Sequence, residues 1–165
     1  MRLSGWRLEG EFPNRPRVIV AVAPHTSNYD FVLTVMVIWG LGLRASYLAK
    51  QSLFRFPLGI LMRYFGGIPV DRESPQGMVE QMVARFRQTP QLILGITPEG
   101  TRSAVKRWKL GFALIASAAH VPVVPAIINY DTRTVRFHPV IDDVHDAQTT
   151  LAKVQSAAAT GAPRG

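Results

Sequence analysis

Two stretches, "RVIVAVA" at 17–23 and "QLILGIT" at 91–97, are apolar at nearly every position rather than at every second one. Successive side chains of a strand point to opposite faces, so a strand that is apolar throughout must be covered on both sides. A parallel or mixed sheet with helices on its faces meets that requirement. Three further runs, "ASYLA", "GGIPV" and "VVPAIINY", read as strands of the same sheet, and the alternating "TVRFHPV" as an edge strand.

Helical patterns lie between the strands. Residues 28–40 form one expected helix, with Ser27 or Asn28 as its cap. In "SPQGMVEQMVARFRQ" Ser74 stands at the cap and Pro75 in the first turn, while Met78, Met82 and Phe86 recur on one helical face. Two more helices are expected, at about 109–119 and about 146–158. The predicted fold is α/β, with a central mixed, mostly parallel sheet flanked by helices. It forms a single domain over residues 1–158, and the small residues, Gly and Pro of 159–165 make a flexible tail.

Composition narrows the chemistry. The chain of 165 residues has no cysteine, which excludes disulfides, thiolate metal sites and a cysteine nucleophile. Its start, "MRLSGWRLEGEF", has no apolar core of signal-peptide length, so no export is expected. The longest apolar stretch, "FVLTVMVIWGLGL", falls short of the about 20 residues that a bilayer span requires. A formal charge of +8 favours anionic partners: phosphates, coenzyme A, acidic carrier proteins, anionic lipid or nucleic acid.

Three strands run into polar clusters: "VIVAVA" into His25, "GGIPV" into Asp71 and Arg72, and "QLILGIT" into "PEGTRS". If the three are parallel, the clusters share the carboxyl edge of the sheet, where open α/β sheets bind ligands. His25 and Asp30 are five apart, a separation that works if a turn intervenes. A carboxylate on one ring nitrogen fixes the tautomer and leaves the other nitrogen as a base. No G-x-S-x-G elbow is present, and Ser27 is better explained as a cap than as a nucleophile. A His–Asp pair without an enzyme nucleophile implies direct attack by a substrate hydroxyl. Metal binding is disfavoured, since no third ligand lies near. His120, His138 and His145 are scattered and are expected on the surface.

In "TPEGTRS", Arg102 between Thr101 and Ser103, after a Gly100 that lets backbone approach, suits a phosphate. Lys106, Arg107 and Lys109 follow, four cations within 102–109. No series of aromatics is interleaved with them as a stacking platform, and no known nucleic-acid motif appears, which argues against nucleic acid. In "LFRFPLGILMRYFGG" about half of the apolar residues are expected in the core. The others would line an acyl groove or rest on lipid, with Arg55 and Arg63 at headgroup level. Trp39 is expected in the core and Trp108 as a surface anchor.

"HTSNYD" followed by "EGTRS" resembles the glycerolipid acyltransferase family that includes lysophosphatidate acyltransferases. "GGIPVDR" resembles its second block and "VPVVPA" its fourth, so the likeness runs in order from His25 to Ala126. Pro24 and Thr97 depart from the residues common at those positions. The resemblance implies a glycerol-phosphate acyltransferase-like domain. It also implies acyl transfer from acyl-coenzyme A or acyl-carrier protein to a lysophospholipid-like acceptor, with 1-acylglycerol 3-phosphate the expected one, and with no cofactor and no metal. It makes His25 the general base, Asp30 its orienting partner, and Arg102 and Arg72 the holders of the acceptor's phosphate. Glu99, Gly100, Thr101 and Ser103 would shape the phosphate loop. The expected setting is cytoplasmic, peripheral to the anionic inner face of the membrane, without nucleic acid. The same chemistry on a lyso-ornithine lipid, a non-catalytic lipid- or nucleotide-binding domain and a nucleic-acid binder are the rival readings.

Overall fold

A computed structural model describes residues 2–3, 5–24, 37–71, 73–99 and 108–161. In chain order its elements are strands β1 (Arg2–Leu3), β2 (Trp6–Glu9), β3 (Arg17–Ala23) and β4 (Ala45–Lys50), a 3-10 turn (Gln51–Phe54), helix α1 (Leu58–Tyr64), β5 (Gly67–Val70), α2 (Pro75–Gln88), β6 (Leu92–Ile96), α3 (Gly111–Ala119), β7 (Val123–Asn129), β8 (Thr134–Phe137) and α4 (Ala147–Gly161). Residues 37–40 are also helical.

The apolar run at 17–23 forms β3, in which every residue after Arg17 is buried. Its alternate residues serve two cores. Ile19 and Ala21 join Met82, Phe86, Phe112, Ile115 and Val154 from α2, α3 and α4 on one face. Val18, Val20 and Val22 join Val37, Val135 and Phe137 on the other, where Trp6, Leu8 and Phe12 of the N-terminal segment pack. The sheet order is β1-β2-β8-β7-β3-β6-β4-β5. β3, β4, β5, β6 and β7 are mutually parallel, whereas β8 runs antiparallel to β7 and β1 antiparallel to β2. The fold is thus the mixed, mostly parallel α/β sheet that continuous apolar strands require.

"TVRFHPV" is not an edge strand. β8 lies between β7 and β2, pairing with β2 in parallel from Arg7↔Thr134 to Glu9↔Arg136. Alternation reports one face open to solvent, and Arg136 is exposed there. It carries no information on whether both hydrogen-bonding edges are taken. The N-terminal strands that cover this edge are short and rich in charge, so no periodicity marks them. They are held by packing: Phe12 meets Phe137 edge-on at 5.3 Å and Trp6 meets Tyr130 at 5.6 Å.

Helix α2 begins as its sequence dictates, with the Gly77 N–H donating to the Ser74 hydroxyl at 3.3 Å. α4 begins at Asp146, whose carboxylate accepts from the Thr149 N–H at 2.7 Å, and runs to Gly161, three residues beyond the expected end near Ala158. Bonds from the Thr149 hydroxyl and amide hold the Asp146 carboxyl below its ordinary pKa.

Candidate active site

Val124, Val20, Gly95, Tyr47 and Gly67 stand in one row across five parallel strands. Three residues further along the chain lie Ile127, Ala23, Pro98, Lys50 and Val70, so β3, β4 and β5 end level and β6, which ends at Ile96, two residues before them. The three polar clusters therefore follow from one edge of the sheet. Pro24, Asp71 and Glu99 are the last described residues before the motif positions. Of the expected site residues only Glu99 is described. It is half-buried after Pro98. His25, Asp30, Arg72, Gly100, Thr101, Arg102 and Ser103 lie outside the described residues.

The bases of two of these loops are tied by bonds that no sequence pattern announces. The Lys109 N–H donates to the Pro98 carbonyl at 2.7 Å, closing the segment that carries "EGTRS". Asp71 accepts the Glu73 N–H at 2.9 Å, bridging position 72, and Gln81 of α2 donates to the Pro69 carbonyl at 3.0 Å. The described ends of both segments are thus tied to their neighbours in the fold.

Beyond the level end of β4 the chain turns outward through Gln51–Phe54 into α1. Gln51, Ser52, Phe54, Arg55, Arg63 and Pro69 line a cavity of about 490 Å³ beside the ends of β4 and β5. The Arg63 guanidinium lies over the Phe54 ring at 5.5 Å. Of the apolar residues in this segment Phe54 is buried and Phe65 half-buried, whereas Phe56, Leu58, Ile60 and Leu61 are exposed.

Three placements correct the sequence expectations. Trp39 is not in the core: it is 46% exposed and stacks on Phe65 at 5.2 Å. Trp108, expected as a surface anchor, is half-buried and packs against the core beneath α2 and α3. A tryptophan's size gives it high average burial or a wide exposed face with equal ease, and flanking residues do not decide between them. His138 is not a free surface residue. Its Nε2 is hidden from solvent without a hydrogen-bond partner, in a second cavity of about 440 Å³ between α4 and the 138–143 segment. Burial, with the Arg136 charge second, lowers its pKa from the ordinary value.

An open, mostly parallel α/β sheet whose motif segments follow strands that end at one carboxyl edge is the class of protein to which this chain belongs. Within it, residues 7–129 match the model of the family described as Acyltransferase, and the chain belongs to that acyltransferase family. It is similar to the 1-acyl-sn-glycerol-3-phosphate acyltransferase of Limnanthes douglasii, 30% identical over 128 residues, which cover 74% of this chain and 44% of that protein. The enzyme of the same name from Limnanthes alba is 30% identical over 127 residues, covering 73% and 44%. The chain spans less than half the length of these curated relatives. In the solved structures, the 1-acyl-sn-glycerophosphate (LPA) acyltransferase PlsC from Thermotoga maritima matches 93% of this chain and 70% of its own, with a TM-score of 0.65. At 21% identity that likeness is one of fold. Among the described residues no helix is long and apolar enough to cross a membrane.

Proposed function

We propose that the chain is an O-acyltransferase that moves a fatty acyl group from acyl-coenzyme A or acyl-carrier protein to the hydroxyl of 1-acylglycerol 3-phosphate, giving phosphatidate. The observation that carries this reading is the level register of β3, β5 and β6. The residues of the three motif blocks follow within a few positions of those strand ends. The printed names of the Limnanthes relatives support the choice of acceptor.

In this reading His25, oriented by Asp30, takes the proton of the acceptor hydroxyl as its oxygen attacks the thioester carbonyl. A C–O bond forms, the C–S bond breaks, and the imidazolium returns the proton to the departing thiolate. That thiolate leaves readily, with a pKa near about 8.5 as for an ordinary thiol. The alcohol is the difficult partner, and a positioned base contributes about 10²- to 10⁴-fold. Arg102 and Arg72 hold the acceptor's phosphate, where a planar guanidinium offers two parallel bonds that lysine does not. Glu99, Gly100, Thr101 and Ser103 shape the loop around it. The reaction balances with the acyl donor and the acceptor alone and calls on no cofactor or metal. The +8 charge and the exposed apolar segment after β4 support peripheral attachment to the anionic, cytoplasmic face of a membrane.

Thiol release from acyl-coenzyme A across a panel of lysolipid acceptors tests the proposal. Release should depend on acceptor and be greatest with 1-acylglycerol 3-phosphate. His25→Ala should lower it by about 10³-fold, Asp30→Asn should lose most of the rate, and the double variant should be scarcely worse than His25→Ala, as for groups acting as one unit. Additive losses would overturn the pair. Greatest release with a lyso-ornithine lipid would overturn the acceptor, and no release with any acceptor, from acyl-coenzyme A or from acyl-carrier protein, would overturn the enzyme.

A further inference from the structure

Apart from Leu114 and Tyr130, the large exposed apolar side chains of the described residues are gathered in one segment. Leu53, Phe56, Leu58, Ile60, Leu61 and Tyr64 all belong to the short excursion between β4 and β5, and Trp39 stands beside it through its stack on Phe65. Ile60 and Tyr64, four residues apart in α1 and therefore on one side of that helix, are 64% and 81% exposed, and Phe56, in the turn just before it, is 85% exposed. Isolated exposed apolar residues need no explanation, but a contiguous rimmed patch marks a surface that meets something.

The exposure is built into a fixed frame rather than produced by a loose end. A Cβ on Gly59 would lie 2.0 Å from the Phe54 carbonyl oxygen, so α1 rests backbone to backbone on the preceding turn. The Tyr47 hydroxyl donates to the Met62 carbonyl at 3.4 Å, tying α1 to β4, and burial raises that phenol's pKa. The side chains facing the sheet are thus small or already engaged, and the large ones face outward.

The same segment carries cations and no acid. Lys50, Arg55 and Arg63 are exposed, and both arginines border the 490 Å³ cavity at the carboxyl edge. No acidic residue occurs between Lys50 and Val70. Exposed apolar side chains with arginines among them complement a surface that is anionic at its face and hydrocarbon just below.

Resting on the peripheral attachment proposed above, we infer that the 3-10 turn and α1 form a bilayer-docking surface. Phe56, Ile60 and Tyr64 enter the headgroup–acyl boundary, and Arg55 and Arg63 meet lipid phosphates. Because this surface continues from the level end of β4, docking would set the candidate site beside the bilayer, where an amphiphilic acceptor resides.

Flotation of the full chain with vesicles tests the surface, using phosphatidylcholine alone and phosphatidylcholine mixed with phosphatidylglycerol. The wild type should float with the mixed vesicles. Phe56→Ser/Ile60→Ser/Tyr64→Ser should weaken that binding by at least about tenfold, while circular dichroism and Tm stay unchanged because those side chains are already exposed. Arg55→Gln/Arg63→Gln should lose about fivefold per arginine on mixed vesicles only. Leu114→Ser, which removes an exposed apolar side chain from α3, should bind as wild type does. Should the triple variant lose its fold, Tyr64→Ser and Phe56→Ser singly, each weakening binding severalfold, replace it. Undiminished flotation of the folded apolar variants would overturn the surface but leave membrane attachment standing. A wild type that does not float would overturn both. A wild-type dimer in sedimentation that the triple variant dissociates would assign the patch to a second copy of the chain and overturn the lipid assignment.

Discussion

At Gly59 two residue-scale effects oppose each other. Alanine is favoured over glycine in a helix by about 1 kcal/mol. A methyl here, however, would meet a backbone carbonyl oxygen at 2.0 Å, which cannot rotate away as a side chain would. Overpacking against fixed atoms costs about 1–3 kcal/mol or more, so the clash wins. Gly59→Ala should lower stability by about 1–2 kcal/mol, read as a shift of the urea midpoint without a change in slope. A neutral or stabilising outcome would mean that α1 is free to lift from the Phe54 turn. Residues of this kind also mark the limit of reading from sequence. The H-x-x-x-x-D and EGTRS positions stand out in the sequence because the proposed chemistry asks for those residue types at those spacings. A glycine that permits a backbone contact, or a Trp39 that faces outward, looks like any other glycine or tryptophan until the neighbouring element is in place.

Elements were legible where their periodicity is driven by burial. β3 and β6 are apolar at every position because α2, α3 and α4 cover one face and the N-terminal segment and residues 37–40 the other. α2 was legible from both its stripe and its cap. α1 was not, because phenylalanine, leucine and arginine in close succession describe a core segment and a lipid-facing one equally well. β1 and β2 are too short for a periodic pattern: β2 is held by pairing with β8 and by Trp6 and Leu8 packing on the core, and β1 by pairing with β2. The cap of α2 allows a direct check. The Ser74 hydroxyl accepts one amide at the helix start, and replacing such a cap by alanine costs about 0.5–2 kcal/mol, typically about 1. Because Ser74 is exposed, Ser74→Ala should register that loss in Tm and the denaturant midpoint, with no cavity to add to it. Ser74→Asp should retain most of the stability, since a carboxylate caps as well and meets the positive end of the helix. Loss with aspartate equal to that with alanine would show that the hydroxyl does more than cap.

Over the whole molecule, His138 and Asp146 make the response to pH asymmetric. Both have folded-state pKa values below their ordinary ones: His138 through burial and then the Arg136 charge, Asp146 through its bonds to Thr149. The unfolded chain therefore holds more protons than the folded one as acid is added, so stability falls with falling pH in both ranges. For His138 the stability is fully present above its ordinary pKa of 6.5 and is lost as pH drops below it. For Asp146 the loss begins only below its ordinary 3.8. The groups sharing the His138 cavity are Asp142, Asp143 and Lys153, with Lys153 3.9 Å from Asp143. Those two carboxylates would favour a charged imidazole, yet both are exposed and screened, whereas Nε2 is enclosed. Burial prevails. The measurement is Tm against pH for the wild type and for His138→Leu, which removes the titrating ring and its unpartnered nitrogen together. Between about pH 6.5 and pH 5 the wild type should lose Tm, while the variant should stay flat until the carboxylates begin to protonate. Above about pH 7 the variant should be at least as stable as the wild type, because an unsatisfied buried polar atom has been replaced by an apolar one. Parallel curves for the two proteins through that range would assign the acid sensitivity to another group.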